Sequence, residues 1–75
     1  MDKNIIKIAA EHMKVTAEIA EKHYKEIHEI NAYYFWNPAR GGISVIVNSE
    51  GEVLGATSSV SFDRHLEEFK KGRRN

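Results

Sequence analysis

The sequence holds no cysteine, which excludes disulfides, thiol catalysis and every cysteine-ligated zinc site. It also lacks net charge. Lys plus Arg equals Asp plus Glu at 11 each, so no overall field steers the molecule toward nucleic acid or an anionic membrane. Long apolar runs are missing too. Met1-Asp2-Lys3-Asn4 leads straight into an amphipathic repeat, with neither a signal-like segment nor anything long enough to span a bilayer. No membrane association and a cytoplasmic location are the resulting expectations. There is no internal repeat, linker or low-complexity tract.

What is present is an ordinary globular composition, 41% hydrophobic and 29% charged, on only 75 residues. That is enough for one domain, 1–75, with a modest core. Lys70, Lys71, Arg73 and Arg74 crowd the last six positions. Residues 70–75 therefore read as a basic, solvated and mobile tail on a neutral body.

From Asn4 to Ile30 apolar residues return at helical spacing. Ile5, Ile6, Ile8, Ala9, Met13, Val15, Ala17, Ile19, Ala20, Tyr24, Ile27 and Ile30 fall on one broad arc. Opposite charges recur four apart: Lys7 with Glu11, Lys14 with Glu18, Glu18 with Lys22, and Glu21 with Lys25. No proline or glycine interrupts, and Asp2 or Asn4 supplies a cap. The pattern predicts one long helix. Its arc is wider than a single partner requires, and either the carboxy-terminal helix or a second copy of the chain fits over the margin.

Ala32-Tyr33-Tyr34-Phe35-Trp36 then reads as a strand, ended by the turn chemistry of Asn37-Pro38-Ala39-Arg40-Gly41-Gly42. Ile43 to Val47 and Glu52 to Thr57 flank Asn48-Ser49-Glu50-Gly51 as a hairpin. Ser61 caps a last helix with Phe62, Leu66 and Phe69 on one face and Gly72 as its stop. The predicted fold class is α+β, in two layers: a long amino-terminal helix on a three-stranded antiparallel sheet, closed by a short helix (α-β-β-β-α).

The search for chemistry yields structural explanations. His12 and His23 would lie roughly 16 Å apart on a helix, and His23 and His28 would diverge by about 140°. No metal site or cofactor is expected. Ser58, Ser59, Ser61, Asp63 and His65 include triad residue types, but as near neighbours in sequence. Ser61 reads as a cap and Asp63 as a first-turn carboxylate. Glu50 and Glu52 flank a turn in water. No enzyme activity is expected.

Strand alternation cannot bury all four consecutive aromatics on one side. With Tyr33 and Phe35 inward, Tyr34 and Trp36 form an outer pair close to Arg40 on the Gly-rich loop, and Trp, Tyr and Arg are the types that most often anchor partner interfaces. Tyr34, Trp36, Asn37 and Arg40 are the candidate partner-binding residues. The competing reading is a second core, in which Phe62 and Phe69 of the closing helix cover the pair.

Tyr34-Phe35-Trp36, the hairpin Val45 to Val53, and the acidic helix Phe62 to Phe69 together resemble the bacterial immunity-protein-35 or YrhB-like group over roughly residues 33–69. The resemblance implies a protein that binds and neutralises a toxin, with no catalytic residue to carry over. The expected function is thus a small non-enzymatic protein-binding module, an immunity or inhibitor protein that occludes a partner. The alternatives are a self-associating structural or regulatory domain, with a homodimer on the wide helical arc, and then a nucleic-acid binder using the aromatic strand and basic tail.

Overall fold

Asp2 opens the first helix by accepting a hydrogen bond from the Asn4 N–H at 2.8 Å. The computed structural model describes residues 2–39, 42–57 and 59–74. Its elements are α1 (Lys3–Met13), α2 (Ala17–Lys22), β1 (Tyr24–Ile27), a 3-10 turn (His28–Ile30), β2 (Ala32–Trp36), β3 (Ile43–Asn48), β4 (Val53–Thr57) and α3 (Phe62–Lys70). The class is α+β.

The long helix expected over Asn4 to Ile30 is not formed. A helix of those 27 residues would run about 40 Å, and the longest extent of the whole molecule is 29 Å. The chain breaks at Lys14, which takes the left-handed conformation (φ 59°) while Val15 N–H reaches back to the Ala10 carbonyl at 3.0 Å. Thr16 then starts α2 by accepting from Ile19 N–H at 3.2 Å. At His23 the backbone turns extended, and Tyr24–Ile27 pairs with β2. Of the four anticipated helical ion pairs, Lys22–Glu18 forms, at 3.2 Å. Lys14 has left the helix and Lys25 lies in a strand, so their pairings lose the geometry they needed.

The sheet accordingly has four strands and not three, all antiparallel, in the order β1-β2-β3-β4. The β1–β2 turn closes on Asn31 in the left-handed region. The β3–β4 hairpin closes on Gly51 (φ 86°), with the Asn48 side chain accepting from the N–H groups of Glu50 and Glu52 at 3.0 and 2.9 Å.

The two-layer expectation also gives way, because the helices lie on opposite faces of the sheet. On one face Ile5, Ile6, Ala9, Ala10 and Met13 of α1 pack with Phe35, Val45, Val47 and Val53. On the other, Phe62, Leu66 and Phe69 of α3 pack with Ile27, Ala32, Tyr34 and Ile46. Period-two alternation along β2 and β3 supplies both cores at once. Residues once placed on one helical arc therefore end on opposite faces of the sheet. The single surface on which a helical dimer contact was expected does not exist. Tyr24, 39% exposed, is the large hydrophobic left outside among the described residues. No helix of the described residues is long and apolar enough to cross a membrane.

Candidate functional site

Tyr34 lies half-buried beneath α3, edge-on to Phe62 with ring centroids 4.7 Å apart and edge-on to His65 at 5.8 Å. Phe69 belongs to the same cluster. This is the second-core alternative. Trp36, also half-buried, stacks on Tyr34 at 6.0 Å and receives the His23 ring edge at 5.9 Å. Asn37 ties the loop down: its side-chain amide donates to the Met13 carbonyl (3.3 Å) and its Oδ1 accepts from Ala39 N–H (2.8 Å). Arg40 lies outside the described residues. Tyr34, Trp36 and Asn37 thus have packing or hydrogen-bonding work of their own.

The triad-like residues do not converge. Ser61 Oγ accepts from Arg64 N–H (3.2 Å) as the α3 cap, and Ser59 Oγ meets Thr57 Oγ1 at 2.8 Å. Asp63 is exposed and Ser58 lies outside the described residues. His23 Nδ1 donates to the Ile19 carbonyl (2.8 Å), and exposed His28 sits 3.3 Å from Glu26. No group of three His, Asp or Glu comes together among the described residues.

His65 is the residue that sequence reasoning missed. It is 1% exposed and lies deep between α3 and β4, where Nε2 donates to the Leu54 carbonyl at 2.7 Å. A carbonyl only accepts, so the neutral ring carries its proton on Nε2 and leaves Nδ1 as an acceptor without a partner. Burial pushes its pKa below the ordinary 6.5, and the bond to Leu54 pulls the other way. The signal was available: Phe62, His65, Leu66 and Phe69 follow the i, i+3, i+4, i+7 stripe of a buried helix face.

That bond forms the floor of a cleft. A four-stranded sheet spans about 14 Å between its outer strands, whereas one helix with its side chains is about 10–12 Å across. The apolar stripe of α3 packs on Ile27, Ala32, Tyr34 and Ile46, with Leu54 of β4 at its margin. The resulting groove, about 600 Å³, runs between Leu54-Gly55-Ala56 on β4 and Ser61, Arg64, His65 and Glu68 on α3, with Arg73 at its end. Its charged wall is largely spoken for. Glu68 Oε1 holds Arg73 Nε at 3.1 Å and Oε2 lies 3.7 Å from Lys71. The next basic residue is packed down, with the Arg74 guanidinium over the Phe69 ring at 3.7 Å and donating to the Phe69 carbonyl at 2.8 Å.

Gly55 and Ala56 also line a second hollow, about 290 Å³, with His12, Ile43 and Thr57 on the α1 face. The edge strand is therefore flanked by space on both faces. Edge strands are normally defended by charge, proline or a bulge. β1, the opposite edge, carries Lys25 and Glu26. Val53-Leu54-Gly55-Ala56-Thr57 carries no charge and no proline.

Comparison of the chain with protein-family models, with curated proteins and with solved structures finds no match.

Proposed function

We propose that this chain is a protein-binding module that seats a segment of its partner in the groove between β4 and α3. The observation that carries the reading is the groove of about 600 Å³ between Leu54 and Ala56 on β4 and Arg64, His65 and Glu68 on α3. A concave, mixed polar and apolar site of this kind is where a bound segment is seated. The resemblance of residues 33–69 to the immunity-protein-35 or YrhB-like group, whose mode of action is occlusion of another protein, supports the same reading. An immunity or inhibitor protein acting by occlusion is the specific form proposed.

Selection of a random peptide library on the immobilised full chain tests this. Enriched peptides are expected to shift the backbone amides of β4 and α3 in solution NMR, and to lose binding to an Ala56→Trp variant whose groove is filled. Enriched peptides that shift α1 alone, or that bind the filled variant equally well, would refute binding in this groove.

A further inference from the structure

We infer that the groove seats an acidic side chain of the partner segment against Arg64 and takes up a proton at His65 as it does so. This rests on binding of a segment between β4 and α3, and adds the chemistry of the bound group and the pH dependence of its binding.

The fold leaves two polar groups of the lining without a partner. The first is the side chain of Arg64, which is exposed and has no ion pair among the described residues. The acids near it are engaged elsewhere: Glu68 holds Arg73 at 3.1 Å and Lys71 at 3.7 Å, and Glu67 holds Lys71 at 3.1 Å. Asp63, one residue back, points about 100° away around the helix. β4 brings no acid. The second group is Nδ1 of His65. Two buried side-chain polar atoms lack a partner among the described residues, His65 Nδ1 and Arg74 Nε, and of these only Nδ1 belongs to a residue that lines the groove. Buried polar atoms are nearly always paired, so such an atom marks a place for a missing group.

One ligand group answers both. Nε2 of the neutral ring donates to the Leu54 carbonyl at 2.7 Å, and a proton added at Nδ1 finds no acceptor in the free protein. The sheet offers no charge to offset an imidazolium. β3 and β4 carry no ionisable side chain, β2 presents the Tyr34 ring edge-on at 5.8 Å, and Lys25 of β1 lies beyond that ring, 5.7 Å from its centroid. On the α3 side the flanking charges are Arg64, Glu68 and Arg73, two cations against one acid. These surroundings oppose protonation of the free ring, and a carboxylate brought to Arg64 reverses their sign. The same carboxylate makes a charge-assisted pair with the guanidinium fork. By linkage, an anion that favours the protonated ring raises the ring's proton affinity, and its own binding tightens as the pH falls. An uncharged segment gains nothing from the proton.

The probes are two capped random pentapeptide pools that differ only in a central Glu or Gln, the other positions drawn from Ala, Val, Ser and Thr. Binding to the full chain is read from the amide shifts of Ala56 and Arg64, and the His65 ring is titrated through its carbon-bound protons between about pH 5.5 and about pH 7.5, where a Glu carboxyl stays ionised. The Glu pool is expected to bind about tenfold more tightly than the Gln pool at the lower pH, and this advantage should shrink about threefold or more at the higher. The His65 ring should titrate at higher pH in the saturated complex than in the free chain. Arg64→Gln should remove most of the advantage, and His65→Gln should retain one that no longer varies with pH, each variant verified as folded by its amide spectrum. Should His65→Gln not fold, the wild-type ring titration decides by itself. If the Gln pool binds equally well while shifting the groove amides, the acidic preference is wrong and binding in the groove stands. A constant advantage with an unmoved ring titration would overturn the proton uptake, and an advantage kept by Arg64→Gln would overturn the assignment to that residue. If neither pool shifts these amides, binding in the groove fails as well.

Discussion

His65 Nε2 and the Leu54 carbonyl, 2.7 Å apart, join the middle of α3 to the edge strand across eleven residues of chain. The bond sets the depth of the groove and couples its geometry to protonation. With the folded-state pKa held below 6.5 by burial, the unfolded chain takes up a proton that the folded chain resists. Stability from this group is full above the unfolded value and is lost as the pH falls through 6.5 toward the folded value. Urea midpoints at about pH 7.5 and about pH 5.5 should differ more for the wild type than for His65→Gln, which keeps a donor and removes the titration. An identical difference in both chains would show that His65 is not the group responsible.

The break between α1 and α2 makes a second test. Lys14 occupies the left-handed region, which costs a residue with a side chain about 1–2 kcal/mol, partly offset in glycine by its greater freedom when unfolded. Lys14→Gly is expected to raise stability by about 0.5 kcal/mol and Lys14→Val to lower it by about 1 kcal/mol or more, read as thermal or urea midpoints. Were Lys14 inside a continuous helix, the order of the two variants would reverse.

Thr16→Ala removes the oxygen that receives the Ile19 N–H. Loss of such a cap lowers stability by about 1 kcal/mol, and a Thr16→Ser variant, which keeps the oxygen, should recover most of it in the same denaturation experiment.

Gly42 meets the side chain of Asn37 with no room to spare: a Cβ there would lie 2.6 Å from Asn37 Cβ. The obstruction is the stem of Asn37, whose amide is bonded to Met13, so it does not swing away cheaply. Gly42→Ala should lower stability by about 1–3 kcal/mol. Gly72→Asn, at a position with open space and a left-handed backbone, is the milder control, because asparagine tolerates that conformation.

The second core predicts a contrast between two aromatic truncations. Phe69 is buried between Ile46 and the Arg74 guanidinium, and Phe69→Ala should cost about 3–5 kcal/mol, enough to unfold much of a chain this small. Tyr24→Ala, at an exposed edge position, should cost about 1 kcal/mol or less. Comparable losses in both would argue against a core beneath α3.

Much of the fold was legible because it is written in local chemistry. The helix caps Asp2 and Ser61, the turn Asn48-Ser49-Glu50-Gly51, and strands β2, β3 and β4 sit where residue type and spacing placed them. Tyr24-Lys25-Glu26-Ile27 was illegible for a physical reason. Four residues satisfy helical and strand periodicity equally well, and Ile27 and Ile30 continued the arc of α1 by coincidence of phase. Only the ladder to Ala32–Phe35 makes the segment a strand. For the aromatic run the alternation of Tyr33 to Trp36 was legible, and residue spacing left open whether the closing helix covers the outer pair; the contact of Tyr34 with Phe62 is a tertiary fact.

The sequence by itself determined the class of the molecule: a small α+β domain without thiol chemistry or net charge, with the caps Asp2 and Ser61 and the β3–β4 turn in place. Those properties depend on composition and on contacts a few residues apart. Tertiary structure alone decided that α3 crosses to the face opposite α1, that His65 is buried against Leu54, and that a groove is left between β4 and α3. These depend on how wide a four-stranded sheet is compared with one short helix, a quantity that no local stretch of the chain contains.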